Sequence, residues 1–265
     1  MYAFTYHRPT SLAEAAKLAG EHDEGKVIAG GMTLLPTMKQ RLAGPSDLID
    51  LSRLDDLRGI EVKGDTVTIK ALTRHVTVAT SADVKKAIPA LAELAGMIGD
   101  PAVRNKGTIG GSVANDDPAA DYPSACLALG ATINTTKRSI KADDFFVGLF
   151  ETALEPGELI TSISFPIPQK ANYQKFRNPA SRYAIVGVFV AKFADSVRVA
   201  VTGAGSNGVF RVADFEKALS ANFAPAALDG KSVPASGLNS DIHADAAYRA
   251  HLIGVLAKRA VAAAG

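Results

Sequence analysis

In the stretch Lys26-Val27-Ile28-Ala29-Gly30-Gly31-Met32-Thr33-Leu34-Leu35-Pro36, a short apolar strand from Lys26 to Ala29 runs into a glycine pair and then into a helix start. Thr33 is placed to cap a helix running to about Leu42, with Pro36 in its first turn, where a missing N–H costs little. Glycines remove the Cβ atoms that would hold a ligand away, and a helix start offers unpaired N–H groups and the positive end of a dipole. An anionic oxygen would be stabilised there. A second stretch, Thr108-Ile109-Gly110-Gly111-Ser112-Val113-Ala114-Asn115, has the same character, so a diphosphate-bearing cofactor is the first expectation. Each pair alone fits better a plain turn in which glycine only relieves sterics. No Gly-Lys-Ser/Thr follows either pair, which argues against a P-loop.

Outward from the first pair, Ser11-Leu12-Ala13-Glu14 is a capping box, with Leu12, Ala15, Ala16 and Ala19 on one helix face. Gly25 ends that helix, and Leu48 to Leu51 is the next strand, so the opening reads as a βαβ-like unit. After about residue 58 the texture changes to a hairpin, Gly59 to Lys63 and Thr66 to Ala71, turning at Gly64-Asp65. Helical stretches near 75 to 98 follow, then Asp100 to Gly107, too polar and punctuated for a core element, as a loop leading into the second glycine pair. A helix around 119 to 129 and strands at Ala131 to Asn134 and Leu159 to Phe165 complete this part, closed by Pro166-Ile167-Pro168. In the last third, Tyr173 to Arg177 is extended and Ala184 to Phe193 pairs with Val197 to Thr202 across Ala194-Asp195-Ser196. Leu252, Val255, Leu256, Arg259 and Ala260 keep a helical period near the end.

Gly203-Ala204-Gly205-Ser206-Asn207-Gly208 matches G-x-G-x-x-G, but the strand before it is hairpin-paired and Asn222 to Pro234 is poor in strand formers. A Rossmann unit is rejected on those grounds. The order of elements predicts an α+β fold with mixed or antiparallel sheets.

The 265 residues, 47% of them hydrophobic, suffice for a real core, and a net charge of +2 with interspersed signs makes no case for nucleic acid or a membrane surface. No run approaches the roughly 18 apolar residues of a membrane span, and Met1 to His7 lacks the regions of a signal peptide, so the expected compartment is the cytoplasm. The lone Cys126, in an apolar helix-like run, cannot hold an iron–sulfur cluster and is expected to be inert. His7, His22, His75, His243 and His251 show no ligand spacing, so no metal is expected. No nucleophile with its base is visible, so any redox chemistry falls to an organic cofactor. Thr108, Ser112 and Asn115 are suited to hydrogen-bond such a cofactor, and Asp121 to accept from a ribose hydroxyl or a base amino group. Tyr183 could stack on a flat ring, with Lys175 and Arg177 neutralising phosphate, or all three could form a solvated strand edge.

Taken together, Lys26 to Lys39, Arg104 to Asp121, Phe145 to Leu159 and Ala180-Ser181-Arg182-Tyr183 resemble the FAD-binding subunit of molybdenum hydroxylases, the family of the carbon monoxide dehydrogenase medium subunit and its xanthine dehydrogenase relatives. The likeness spans nearly the whole chain, and the paired AGG-x-S/T and TIGG motifs carry it. The resemblance implies a vanillyl-alcohol-oxidase (PCMH)-type FAD-binding fold. Residues 1–170 would form the FAD domain, with subdomains at about 1–57 and 58–170, and residues 171–265 a smaller α+β domain with a three-stranded antiparallel sheet closing over the flavin. It implies that Ala29, Gly30, Gly31, Met32, Thr33 and Leu34 surround the diphosphate, flanked by Lys26 and Val27. Thr108, Gly110, Gly111, Ser112 and Asn115 would add a second set of contacts, Asp121 would lie toward the ribose or adenine, and Ile160 and Tyr183 near the flavin ring. No catalytic residue is implied.

The resemblance further implies a heterotrimer, assembled as a dimer of heterotrimers. A molybdenum-cofactor large subunit would oxidise substrate, and a 2Fe–2S small subunit would pass electrons singly to FAD for delivery to a terminal acceptor such as NAD, a quinone or oxygen. Two departures are visible: Gly99-Asp100 stands where many relatives place a histidine before the proline, and Met32 replaces a residue that is often polar. A stand-alone flavin reductase or oxidase, and a nucleotide-binding module without redox work, are the competing readings.

Overall fold

The structure is a computed structural model that describes residues 1–264. The βαβ-like opening is a three-stranded parallel sheet in which Asp47–Asp50 lies between Thr5–His7 and Lys26–Ile28. The crossover helix Leu12–Glu21 starts with half of the expected capping box: Ser11 Oγ accepts from the Glu14 N–H at 3.2 Å, while the Glu14 carboxylate reaches one residue beyond the cap to the Thr10 N–H at 2.9 Å. Ala15, Ile49, Leu51 and Leu54 form the small core beneath it.

The middle of the chain forms a five-stranded antiparallel sheet in the order Ile60–Lys63, Thr66–Lys70, Ile160–Pro166, Thr132–Thr135, Ser139–Lys141. The expected hairpin turns at Gly64, whose φ of 56° suits glycine. Against this sheet packs the helix Ile109–Asn115, anchored by Ile109 and Val113, both fully buried among Val67, Ile69 and Ile163. Burying two such side chains contributes about 2 kcal/mol each, which holds the glycine-bearing face of the helix in place.

The last part forms a four-stranded antiparallel sheet, Lys170–Arg177, Ala184–Lys192, Val197–Thr202 and Phe210–Arg211. The fourth strand, two residues long, corrects the expected three. The helix Tyr122–Ala128, buried along its whole length and including the free thiol of Cys126, packs on this sheet and shares the core of the middle one. In the terminal helix Ala246–Ala263, Leu252, Ile253, Leu256 and Ala260 are buried; Arg259 is exposed, and the buried arginine is instead Arg249, which donates to the Ile185 and Gly203 carbonyls and to Asp241. The G-x-G-x-x-G segment follows an antiparallel strand, as expected, and opens no helix. Among the described residues no helix is long and apolar enough to cross a membrane.

Three local expectations are corrected. The helix after the first glycine pair spans only Leu34–Lys39, because Arg41 adopts φ 61° and the chain closes with Leu42 N–H on Thr37 O and Arg41 N–H on Met38 O. That is a Schellman closure with arginine where glycine usually signals it. Asp100 to Gly107 is not a loop but the helix Pro101–Lys106, with Asp100 accepting from the Val103 N–H at 2.9 Å and proline in the first turn. Gly110 and Gly111 likewise lie inside a helix that starts at Thr108, whose hydroxyl caps it.

Candidate functional site

A cavity opens where the first glycine turn faces the helix Ile109–Asn115, with the loop Ser181-Arg182-Tyr183 along a third side. A strand-to-helix turn and a junction between two helices therefore meet across one space. They meet closely: a Cβ on Gly30 would overlap the Lys106 carbonyl and lie 2.7 Å from Gly107 Cα. Only glycine allows this approach.

The two glycine stretches are not chemically equivalent. In the first, no protein acceptor among the described residues engages the main-chain N–H groups of Gly31, Met32, Thr33 and Leu34, and Thr33 makes no side-chain cap. Four adjacent donors are thus left on the cavity wall. In the second, the four amides from Ile109 to Ser112 are consumed: Ile109 donates to Thr73 O, Gly110 to Ala71 O, Gly111 to Thr108 Oγ and Ser112 to Thr108 O, at 2.9–3.2 Å. This wall presents the side chains of Ser112 and Asn115 and the bare Cα of Gly111. Unsatisfied N–H groups cost about 1–3 kcal/mol each when water is excluded, so the first turn is built for an anionic ligand and the second for fit.

Of the residues singled out from sequence, Ala29, Gly30, Gly31, Met32, Thr33, Leu34, Thr108, Gly111, Ser112, Asn115, Asp121 and Tyr183 line this cavity. Lys26, Val27, Gly110 and Ile160 do not: Lys26 is exposed at a strand start, Val27 packs beside the first core, Gly110 bonds to Ala71, and Ile160 is buried in the middle core. Residues not foreseen include His75, Gly99, Val103, Gly107, Asp117 and Arg182. Gly99 and Val103 could have been found from Asp100-Pro101 as a helix start, since that helix edges the cavity. His75 and Asp117 carried no pattern.

Lys175 is not a solvated edge residue. Its ammonium is fully buried, 2.8 Å from Asp121 Oδ2 and 3.2 Å from the Met97 carbonyl, while the Tyr173 hydroxyl donates to Asp121 Oδ1. Burial pushes the Asp121 carboxyl up, and Lys175 and Tyr173 pull it back. Tyr183 is half-exposed, on a loop held by Asn178 Oδ1, which accepts from the Ala180 and Ser181 N–H groups. Burial and the nearby Asp117 push its phenol above the usual range, so it stays neutral.

Two buried groups near the cavity oppose each other electrically. His75 has no partner on Nδ1, packs against Tyr122 at 5.4 Å, and is lowered to about 4 by burial and then by Arg104. Asp116, in the left-handed conformation at the helix end, has no partner on either carboxylate oxygen and is raised to about 7 by burial and then by Asp117. The raised acid supplies stability that is present below the ordinary carboxylate range and lost as pH rises to 7. The depressed imidazole supplies stability present above about 6.5 and lost as pH falls toward 4. Between these values the two slopes cancel. Asp116→Asn, which suits the left-handed conformation, is expected to raise stability at pH 8 by about 1–2 kcal/mol and to unmask the histidine's slope. Urea denaturation at pH 5 and pH 8 tests this; a variant no more stable than the parent at pH 8, or one with the same gain at both values, would refute it.

Residues 2–168 match the family model described as the FAD binding domain in molybdopterin dehydrogenase. The nicotine 6-hydroxylase medium subunit of Paenarthrobacter nicotinovorans is 36% identical, over 99% of this chain and 98% of that one. The carbon monoxide dehydrogenase medium chain of Hydrogenophaga pseudoflava is 35% identical, over 98% and 96%. Among solved structures, quinoline 2-oxidoreductase from Pseudomonas putida 86 superposes with a TM-score of 0.88 at 28% identity, covering 98% of this chain and 96% of that one. The matched segment contains both glycine stretches and the elements leading into each wall of the cavity, so the chain belongs to the FAD-binding domain family of the molybdopterin dehydrogenases and is an oxidoreductase subunit whose cofactor is FAD.

Proposed function

We propose that this chain is the FAD-carrying electron-transfer subunit of a heterotrimeric, cytoplasmic molybdenum hydroxylase. It would receive electrons from a 2Fe–2S small subunit, itself fed by a molybdenum-cofactor large subunit, and serve a terminal acceptor. The observation that carries the reading is the row of unpaired N–H groups from Gly31 to Leu34 facing Ser112 and Asn115 across the cavity. Bound FAD supplies the exchange of two electrons in single or paired steps. The chain's own residues bind and shape. The four amides would donate to the diphosphate oxygens, Ala29 and Gly30 would let the backbone come close, and Ser112 and Asn115 would add side-chain hydrogen bonds. Thr108 holds the facing helix in register. Asp121 would line the sugar side and the neutral Tyr183 ring would flank the flavin, with residues 171–265 as the closing domain.

None of these groups needs to move a proton for the subunit to work. The one imidazole at the cavity, His75, is buried and neutral. The relatives are named for nicotine, carbon monoxide and quinoline, and a shared fold beside such different small molecules supports placing substrate oxidation on another chain. Purified protein is expected to be yellow, to release one FAD per chain on denaturation, and to bleach with a chemical reductant. A colourless protein that takes up no FAD would sink the flavin reading. Isolation from its native source without two companion chains would favour the stand-alone flavoenzyme instead.

A further inference from the structure

Away from the cavity, three ligand-type side chains from separate elements converge. His7 ends the strand Thr5–His7, His22 is the C-cap of the helix Leu12–Glu21, and Asp47 begins the strand Asp47–Asp50; one ligand atom of each lies within 4.8 Å of the others. His7 Nε2 stands 2.6 Å from Asp47 Oδ1 and His22 Nδ1 stands 3.3 Å from Asp47 Oδ2, with the two imidazole rings 5.2 Å apart. The Ser46 hydroxyl donates to Asp47 Oδ2 at 2.8 Å, so the carboxylate is held in orientation by a further group. The three side chains are 23%, 33% and 12% exposed, recessed yet reachable by an ion.

We infer that His7, His22 and Asp47 form a binding site for a divalent transition-metal ion of the zinc class. Two imidazoles and one carboxylate are a nitrogen-rich donor set that suits Zn²⁺ and its first-row neighbours, whereas Mg²⁺ and Ca²⁺ take oxygen. In a tetrahedral zinc site with bonds of about 2.0–2.1 Å, ligand atoms stand about 3.3 Å apart. His22 Nδ1 stands at that distance from Asp47 Oδ2, and the shorter hydrogen bond from His7 Nε2 to Asp47 Oδ1 would have to open for the ion to enter. Three protein ligands leave a coordination position for water. The ion would clasp the outer strand Thr5–His7 and the end of the crossover helix to the central strand, in the same unit whose other outer strand, Lys26–Ile28, delivers the glycine turn to the cavity.

The test does not depend on the flavin. Full-length protein freed of metal by chelation is titrated with Zn²⁺ by calorimetry and melted with and without the ion. Wild type is expected to take up one equivalent and to melt higher when loaded. His22→Gln and His7→Gln are each expected to bind Zn²⁺ at least tenfold more weakly and to lose the shift, with circular dichroism confirming the fold of each and His22→Gln retaining its FAD. If wild type takes up no Zn²⁺, or a folded variant takes it up as tightly as wild type, the assignment is overturned.

Discussion

Gly111→Glu is expected to give a folded protein that no longer retains FAD. Gly111 sits in the first turn of the helix Ile109–Asn115, on the cavity wall facing the first glycine turn. A Cβ there would stand 3.0 Å from Thr108 Oγ and 3.7 Å from Ala29 Cβ, so the hydroxyl need give by only a few tenths of an ångström. A carboxylate in a first helical turn is itself favourable by about 0.3–1 kcal/mol. The fold therefore has no reason to fail. The long side chain, however, enters the space between the two walls and puts a negative charge opposite the amides of Gly31 to Leu34. Affinity for FAD should fall at least about a hundredfold, about 2.7 kcal/mol, since the diphosphate loses both room and sign. The ratio of flavin to protein absorbance after gel filtration, with FAD titration of the stripped protein, measures it. Gly111→Ala, which adds bulk without charge or reach, should lose less than about tenfold by the same conversion. Full flavin occupancy in G111E would show that the diphosphate does not lie between these walls.

The contrast between the two walls also marks where the sequence stops being legible. Features that close within a few residues were readable: the Ser11 cap on the Glu14 N–H, the Gly64-Asp65 hairpin, and the pairing of Ala184 to Phe193 with Val197 to Thr202 all stand in the structure. So was the α+β class, because it follows from the order of such units. What failed was of two kinds. Some local signals were present but in an unusual residue, as with Arg41 taking the left-handed closing position, or were masked by polarity, as with Asp100-Pro101 starting a helix. Others did not exist locally at all. That the amides of Ile109 and Gly110 are spent depends on the carbonyls of Thr73 and Ala71, which belong to a different part of the chain. From sequence, both glycine pairs offered the same donors; the tertiary fold takes one set and leaves the other. His7, His22 and Asp47 likewise share no spacing, because the parallel sheet alone brings them together. The family resemblance reached the cavity residues by motif, yet it did not separate those that line the space from Lys26, Val27, Gly110 and Ile160, which do not.

Lys175→Met should produce the largest stability loss among single changes near the cavity. The Lys175 ammonium and the Asp121 carboxylate are both buried, and nothing but Lys175 compensates the charge on Asp121 at contact distance, Tyr173 contributing only a hydroxyl. Removing the cation leaves a buried carboxylate with its desolvation unpaid, a change that costs about 3–5 kcal/mol. The same reasoning says that the pair itself contributes less than this. Lys175→Met combined with Asp121→Asn removes both charges and should recover about half of the loss, Tyr173 keeping an acceptor. The pH dependence has a definite sign. Without Lys175 the upward push of burial on Asp121 is opposed only by the Tyr173 hydroxyl and the charge of Arg177, so its folded pKa rises further above the unfolded value. Stability of the single variant is then retained at low pH and lost as pH rises, and its deficit should be smaller at pH 5 than at pH 8. Urea denaturation of the four proteins of the cycle at both values provides the measurement. A loss below about 1 kcal/mol for Lys175→Met, or a double variant no better than the single, would mean that water or another cation reaches Asp121. The consequence for the site follows from where the pair sits. Lys175 belongs to the strand Lys170–Arg177 of the last sheet, while Asp121 precedes the buried helix Tyr122–Ala128 and lines the cavity. The ion pair is thus a bolt between the sheet that carries the Tyr183 loop and the wall that carries Ser112 and Asn115. Even where Lys175→Met remains folded, its FAD should dissociate about tenfold faster, because the cavity's sides are no longer held at a fixed distance.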